Sequence, residues 1–427
     1  MIPSEEKIPS RHFVRSAALF GYFGIGNMGD ESVVEVLIRK IRALRPDVRL
    51  SAISLNPAGT EQAYGIPSIP MRRPPRKQWQ ADQREWKNTY LKKLNLFLYR
   101  LFSVIPAELS FLVRSYRALR KIDLIVVAGS GQFLDIEWGP WNHAFTYYKW
   151  SLLAKFSGTK IACMSAGVGP LTTKLGKYFV GAALNRTHYR SFRDENSKLL
   201  VESLGVKEPN YVYPDQAFSL SHPSSASDAE RQNRRVVGIA PIAYHDPRSW
   251  YEWSESVYAE YVQSLASFSL WLLEKGYRII FFFTQLNEEE RTIDDIAAAM
   301  KKTSPGFDAS AVRTHTVRSY RDVMDAVRQM DVVVASRFHA ILHAYLIHVP
   351  VLGISYHQKD DDLMAAFGQT DYCVGIAHFD FELLKKRFLL LESRWTEERA
   401  RIGKHVCEQR ARLEEQYERV FVREELE

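Results

Sequence analysis

Ala17-Ala18-Leu19-Phe20-Gly21-Tyr22, followed closely by Gly24-Ile25-Gly26-Asn27-Met28-Gly29-Asp30-Glu31, is the stretch that decides the fold. A short apolar run, a glycine-rich turn and an amphipathic segment reaching Leu44 predict strand, tight turn and helix, the opening of a β-α-β unit. The spelling G-x-G-x-x-G in that position is the fingerprint of a dinucleotide-binding turn. The next checkpoint opposes that reading. The second predicted strand, Arg49 to Leu55, ends at Asn56-Pro57, where a ribose-binding carboxylate is expected. Two carboxylates, Asp30 and Glu31, stand instead where the helix begins. Asp30 suits capping of free amides and Glu31 complements the positive helix end, yet both repel a phosphate placed there. The turn, with Gly26 and Asn27 at its centre, therefore fits hydroxyl groups or proton transfer, and a plain turn and cap is the structural alternative.

Outward from this unit the same rhythm repeats. Strands are predicted at Asp123 to Ala128, Lys160 to Ser165, Tyr189 to Phe192 and Tyr211 to Tyr213, with helices over Gly176 to Thr187 and Asp194 to Leu204. The stretch His222 to Asn233 is rich in Ser, Asp and Arg and marks an exposed linker. The rhythm restarts with strands at Val236 to Ala240, Arg278 to Phe283, Thr314 to Val317, Asp331 to Ala335 and Val351 to Ile354, and helices over Ser254 to Lys275 and Glu288 to Met300. The expected class is α/β, with two Rossmann-like parallel-sheet domains facing a cleft, as in the GT-B architecture. The expected division is a first domain over 1–221 with a basic helical insertion at about 71–121, a linker at 222–235, a second domain over 236–379 and a helical extension over 380–427. Glu392 to Glu427, charge-dense with widely spaced apolar residues, predicts a long surface helix.

Bulk properties bound the function. At 427 residues, with 46% apolar and 25% charged side chains, the chain is long enough for two well-filled cores. Its three cysteines, Cys163, Cys373 and Cys407, lack the spacing of a disulfide framework or a thiolate zinc site, which fits a reducing cytosol. The polar first residues lack the apolar core of a secretory signal, so a cytoplasmic location is expected. The net charge of +7 is concentrated: Met71 to Lys121 holds 13 Lys or Arg against Asp82, Glu85 and Glu108, leaving the remainder slightly acidic. Such a local basic segment points to an anionic membrane surface or a phosphate-rich substrate, and no finger or RNP-type motif supports a nucleic-acid partner.

The second decisive stretch is Ser336-Arg337-Phe338-His339, which leaves the apolar strand Asp331 to Ala335 and opens a helix. Ser336 is placed to cap that helix. Arg337 beside free helix amides makes a site for phosphate or carboxylate, and His339 exchanges protons near neutral pH. His343, four residues on, invites a zinc reading, but Ala340 occupies the place of the glutamate in H-E-x-x-H and no third ligand is evident, so no metal is expected.

The ordered series Gly-Asn-x-Gly-Asp-Glu, Arg45-Pro46-Asp47 and then Ser336 to His339 resembles the polysaccharide pyruvyl transferase family across most of the chain. Further stretches are similar to that family: the strand end Ala128-Gly129-Ser130-Gly131, Ala166 to Pro170, Arg193-Asp194-Glu195-Asn196-Ser197, Pro214-Asp215, and Gly353-Ile354-Ser355-Tyr356 followed by Lys359. The resemblance implies transfer of a pyruvyl group from phosphoenolpyruvate onto two sugar hydroxyls of a cell-surface polysaccharide or its lipid-linked precursor, giving a cyclic ketal without a cofactor. It implies His339 as acid, Arg337 and Arg193 as anion clamps, Asp30 or Glu31 on the acceptor side, and Ser336, Gly129, Gly131, Tyr356 and Lys359 as substrate contacts. Local alternatives stand beside each: tight turns for Gly129 and Gly131, a salt bridge to Asp194 or Glu195 for Arg193, an exposed loop position for Lys359, and a structural role for Asp215. A nucleotide-sugar glycosyltransferase and a non-catalytic glycan-binding relative are the alternative functions.

Two more features concern the acceptor. Tyr244 and Trp250 follow the first strand of the second domain, where they form a sugar-stacking platform or pack against the next helix. Leu94 to Val113 contains Arg100, Pro106 and Glu108, too polar to span a membrane, but flanked by the basic run it fits an anionic bilayer surface or a helix pair covering the first sheet. Acceptor sugar and oligomeric state are not written in the sequence.

Overall fold

The computed structural model describes residues 14–73, 100–129, 131, 133–136, 139–220, 235–250, 252–285 and 288–426. The N-terminal part of the basic insertion and the expected linker up to residue 234 lie outside the described residues.

Seven parallel strands form the first sheet: β1 (Ser16–Gly21), β2 (Arg49–Ser54), β3 (Ser68–Pro70), β4 (Leu124–Ala128), β5 (Lys160–Ala166), β6 (Tyr189–Phe192) and β7 (Tyr211–Val212), in the order β3-β2-β1-β4-β5-β6-β7. Six parallel strands form the second: β8 (Val236–Ala240), β9 (Arg278–Phe281), β10 (Val312–Thr314), β11 (Val332–Ala335), β12 (Val351–Ser355) and β13 (Cys373–Gly375), in the order β10-β9-β8-β11-β12-β13. The central strands are buried along their whole length, which is why they appear in the sequence as unbroken apolar runs. The two-sheet α/β class expected from the alternation is the one observed.

Differences fall where the sequence pattern is weak. The strand expected at Thr314 to Val317 is β10, two residues earlier, because Val312 pairs with Ile279 at the sheet edge while Val317 is buried in the following loop. The helix His143–Ser157 is unannounced in the sequence, its aromatic residues being spread around its circumference rather than on one face. It packs with the helices Ile105–Leu119 and Lys174–Leu184 as one layer on the first sheet, and a separate core of Phe20, Ile125, Cys163, Phe111, Trp150 and Val180 lies beneath that layer.

The expected surface helix near the C-terminus is Trp395–Tyr417, and one side of it is core. Ile402, Val406, Leu413 and Tyr417 are fully buried. It leaves the second domain and returns to the first, where Arg410 donates to the carbonyls of Phe218 and Leu220 at 3.0 Å each. Beyond it, Glu424 accepts from Arg45 at 2.7 Å. A narrow apolar stripe reads as a surface pattern in one dimension, yet a stripe one side chain wide suffices to seal two domains together.

Candidate active site

In each sheet the connections reverse direction between two adjacent central strands, β1 and β4 in the first and β8 and β11 in the second. Open α/β sheets bind ligands outside the carboxyl ends of strands at such switch points. The glycine turn leaves β1 and the Ser336–His339 stretch leaves β11, so each motif stands at its own switch point, and the two meet. The His339 imidazole lies so close over Gly29 that a Cβ at position 29 would overlap the ring. Beside this contact Met28 donates its N–H to the Thr284 carbonyl at 3.3 Å, and Asn27 forms an antiparallel bridge with Gln285.

On the first-domain side the turn is held from several directions. Gly24 and Gly26 have φ of +82° and +83°, a conformation that other residues adopt at a cost. Asn56, standing where a dinucleotide fold carries its acid, donates from Nδ2 to the Gly24 carbonyl at 2.8 Å. Asn27 caps the helix Met28–Leu44 by accepting from the Gly29 N–H at 3.1 Å. Glu31 is occupied at both oxygens: Oε1 accepts from the Gly24 N–H at 2.7 Å, and Oε2 is hydrogen-bonded to the Tyr64 hydroxyl. Asp30 is half-buried in the first turn of the helix.

The second-domain side corrects one local expectation. The helix Phe338–Leu346 has Arg337, not Ser336, at its cap position, with no side-chain cap. Ser336 is buried, and its hydroxyl is 3.3 Å from the Tyr261 hydroxyl, a partner 75 residues earlier in the chain that capping rules do not foresee. Arg337 pairs through Nε with Glu289, a fully buried carboxylate. Its other oxygen accepts the N–H groups of Thr284 and Gln285 at 2.8 and 3.1 Å. Glu289 thereby orients Arg337 and also fixes the segment that touches Asn27 and Met28. Burial opposes the charge on Arg337, but attraction from Glu289 and Tyr356 outweighs it and the pKa is raised.

Arg193 comes from the first domain and ends over the second. Its guanidinium carbon is 4.6 Å from the centre of the Phe338 ring. Nε donates to Asp194 at 3.3 Å, and Nη1 is 4.0 Å from Asp215. Gly167 makes room for it, since a Cβ there would stand 2.6 Å from the guanidinium carbon. The cleft position and the salt bridge are thus both realised. Lys359 is half-buried with Nζ 5.3 Å from the centre of the Tyr356 ring.

His339 sits in the field of these cations. Burial first, then His343, Arg193, Lys359 and Arg337, hold its pKa well below the usual imidazole range. The ring is therefore neutral at pH 7, and its Nε2 is buried without a hydrogen-bond partner. Its centroid is 6.2 Å from that of His343. Among the described residues no group of three His, Cys, Asp or Glu is arranged to hold a metal ion.

Tyr244, Trp250 and Tyr356 gather into one half-buried aromatic cluster, Tyr244 edge-on to Trp250 at 5.6 Å and Trp250 edge-on to Tyr356 at 6.0 Å. Gly129 and Gly131 are placed differently. Gly129 is pressed onto the Met164 and Ser165 carbonyls, leaving no room for a side chain, and Gly131 is exposed with nothing within 4 Å of a Cβ.

Sequence reasoning missed Glu289, His357 and Asp360. Asp360 is fully buried, and neither carboxylate oxygen completes a hydrogen bond, although the Tyr356 backbone is near enough to favour its charge. Burial raises its pKa to about 6 against the pull of Lys359 and Arg193. Burial with Lys359 and Arg193 lowers His357 to about 4. In the run Asp360-Asp361-Asp362 nothing distinguishes the one acid that turns inward.

Residues 27–358 match the family described as polysaccharide pyruvyl transferase, and the chain belongs to that family. No curated protein matches. Among solved structures, Anabaena HepE in complex with UDP shares 12% identity over 93% of this chain and 95% of its own, with a TM-score of 0.56. A glycosyltransferase from Rickettsia africae shares 9% identity over 96% and 99%, with a TM-score of 0.56. The UDP-GlcNAc 2-epimerase of Neisseria meningitidis bound to UDP-GlcNAc shares 11% over 91% and 93%, with a TM-score of 0.51. At such identities these likenesses establish the fold, which is the GT-B-like arrangement of glycosyltransferases and epimerases.

Proposed function

We propose that the protein transfers the pyruvyl group of phosphoenolpyruvate to two hydroxyls of a sugar in a cell-surface polysaccharide or its lipid-linked precursor, releasing phosphate and leaving a cyclic ketal. The single observation that carries this reading is the convergence of Arg193 from one domain with Arg337 and Lys359 from the other around His339. A small, densely anionic donor with one carbon to be protonated suits such a centre.

In this mechanism the donor's phosphate and carboxylate lie against Arg193, Arg337 and Lys359. Their negative charge offsets the cations that suppress protonation of His339, so donor binding raises the pKa of the imidazole. His339 then gives its proton to the methylene carbon, the neighbouring carbon becomes oxocarbenium-like, and an acceptor hydroxyl bonds to it. Phosphate leaves with the C–O bond electrons, and the second hydroxyl closes the ring, giving its proton back to the His339 imidazole that donated one in the first step. Because both Glu31 oxygens hold the turn, the reading gives Asp30 the proton of the attacking hydroxyl. The aromatic cluster of Tyr244, Trp250 and Tyr356 supplies a surface for the sugar. Phosphoenolpyruvate is the only activated reactant, and no cofactor is invoked.

The test is phosphate release from phosphoenolpyruvate with candidate lipid-linked oligosaccharides, with product mass measured alongside. Release that requires acceptor, and that falls by about 10² or more in folded His339→Gln and Arg337→Ala, is expected. Full activity in both variants, or turnover of a nucleotide sugar in place of phosphoenolpyruvate, defeats the reading.

A further inference from the structure

The helical layer on the far side of the first sheet has an unusual outer face. Phe102 is exposed just before the helix Ile105–Leu119, and Ile105, Leu109 and Val113 follow at four-residue intervals, all exposed. Four-residue spacing places these three on one stripe. The two helices packed alongside, His143–Ser157 and Lys174–Leu184, and the turn leading into the first of them add Trp141, Phe156 and Tyr178, at 64%, 71% and 59% exposure. With Leu175, eight of the fourteen exposed large hydrophobic residues among the described residues belong to this one layer. Scattered exposed apolar residues are ordinary, whereas their concentration on one face marks a contact surface.

Charge on the same face is one-sided. The helices His143–Ser157 and Lys174–Leu184 contain no acid at all, and Ile105–Leu119 contains only Glu108. Glu108 is taken up by Lys149 at 3.1 Å and Arg73 at 3.4 Å. Arg114, Arg117, Lys155, Lys174 and Lys177 are exposed. The core under this layer is separate from the one shared with the second domain, so the face points away from the cleft's partner domain.

We propose that this face docks the protein on an anionic lipid bilayer, its aliphatic and aromatic side chains entering the headgroup region and its lysines and arginines lying against the phosphates. Basic residues flanking an apolar stripe are the composition of an interfacial helix, and aromatic rings are at home at that depth. A second copy of the chain is disfavoured as occupant, because a two-fold contact would bring the same positive charges together. A polynucleotide offers nothing to the aliphatic stripe. Among the described residues no helix is long and apolar enough to cross a membrane. This inference does not rest on the proposed chemistry.

The full chain is sedimented with vesicles of phosphatidylcholine alone and of phosphatidylcholine with phosphatidylglycerol. Binding to the anionic vesicles, weakened by salt, is expected. Lys174→Glu with Lys177→Glu is expected to weaken it about tenfold, and Leu109→Glu with Val113→Glu likewise at low salt. Both pairs are exposed, so an unchanged melting temperature separates loss of docking from loss of fold. No binding to either vesicle, binding indifferent to both pairs, retention on RNA without retention on vesicles, or a dimer dissolved by Leu109→Glu with Val113→Glu would each overturn the proposal.

Discussion

The imidazole of His339, in the second domain, rests on the bare Cα of Gly29, in the first. One atom of side chain at position 29 has nowhere to go while the domains remain closed. The contact makes the His339 imidazole of one domain and the helix start of the other a single structural unit.

Gly29→Ala is accordingly expected to leave each domain folded while forcing His339 off its position. Activity should drop by about 10² or more, with a stability loss of roughly 1–3 kcal/mol from overpacking. Steady-state kinetics with a thermal melt checks this. A variant of normal activity would show that the close contact is dispensable.

Asp30 and Glu31 should separate cleanly. Glu31→Gln replaces an acceptor for both the Gly24 N–H and the Tyr64 hydroxyl by a group that can serve only one as well, and a loss of roughly 1–3 kcal/mol is expected. Asp30→Asn is expected to keep the melting temperature within a few degrees and to reduce turnover by about 10². Measuring both quantities on both variants decides the assignment.

Stability should fall on acidification through the histidines. His143 stacks on Tyr22 at 4.0 Å, and burial, with Arg72 adding to it, lowers its pKa to about 4. The unfolded imidazole, at its ordinary pKa of 6.5, binds a proton first. Stability from this group is therefore present above pH 6.5 and lost as pH falls towards 4, by roughly 2 kcal/mol after allowance for solvent screening. His357 acts in the same direction. Chemical denaturation across that window should give a shallower slope in His143→Gln.

Asp360 acts with the opposite sign. Its folded pKa of about 6 lies above the 3.8 of the unfolded group, so burial of this acid costs nothing below pH 3.8 and an increasing amount as pH rises to 6. Asp360→Asn is expected to be more stable than the parent at pH 7 by roughly 1–3 kcal/mol and equal to it near pH 4. Equal stability at pH 7 would mean that the carboxylate is solvated or paired after all. A matching loss of turnover would show that the buried acid is kept for the reaction.

Much of this was legible in the chain. Central strands such as Leu124–Ala128 and Val332–Ala335 are apolar at every position because helices cover both faces, and no other element is written so plainly. Gly24 to Glu31 and Ser336 to His339 were legible as motifs for a related reason, since backbone geometry at a strand-to-helix turn admits few residues. Edge elements were obscure: β10 carries a single half-buried valine, and its position follows from pairing with Ile279. The mistaken cap at Ser336 has the same origin, a local preference overruled by a hydroxyl partner, Tyr261, remote in sequence.

The sequence by itself determined two doubly wound domains, the family, and the identity of the two motifs, because periodicity and turn chemistry are local properties that survive without tertiary context. Only the tertiary structure decided that the motifs touch, that Glu289 holds Arg337, that Arg193 crosses to Phe338, and that Asp360 rather than Asp361 is buried. Charge neutralisation, desolvation and the room for one missing Cβ depend on which side chains are brought together from distant parts of the chain, and that is settled by packing.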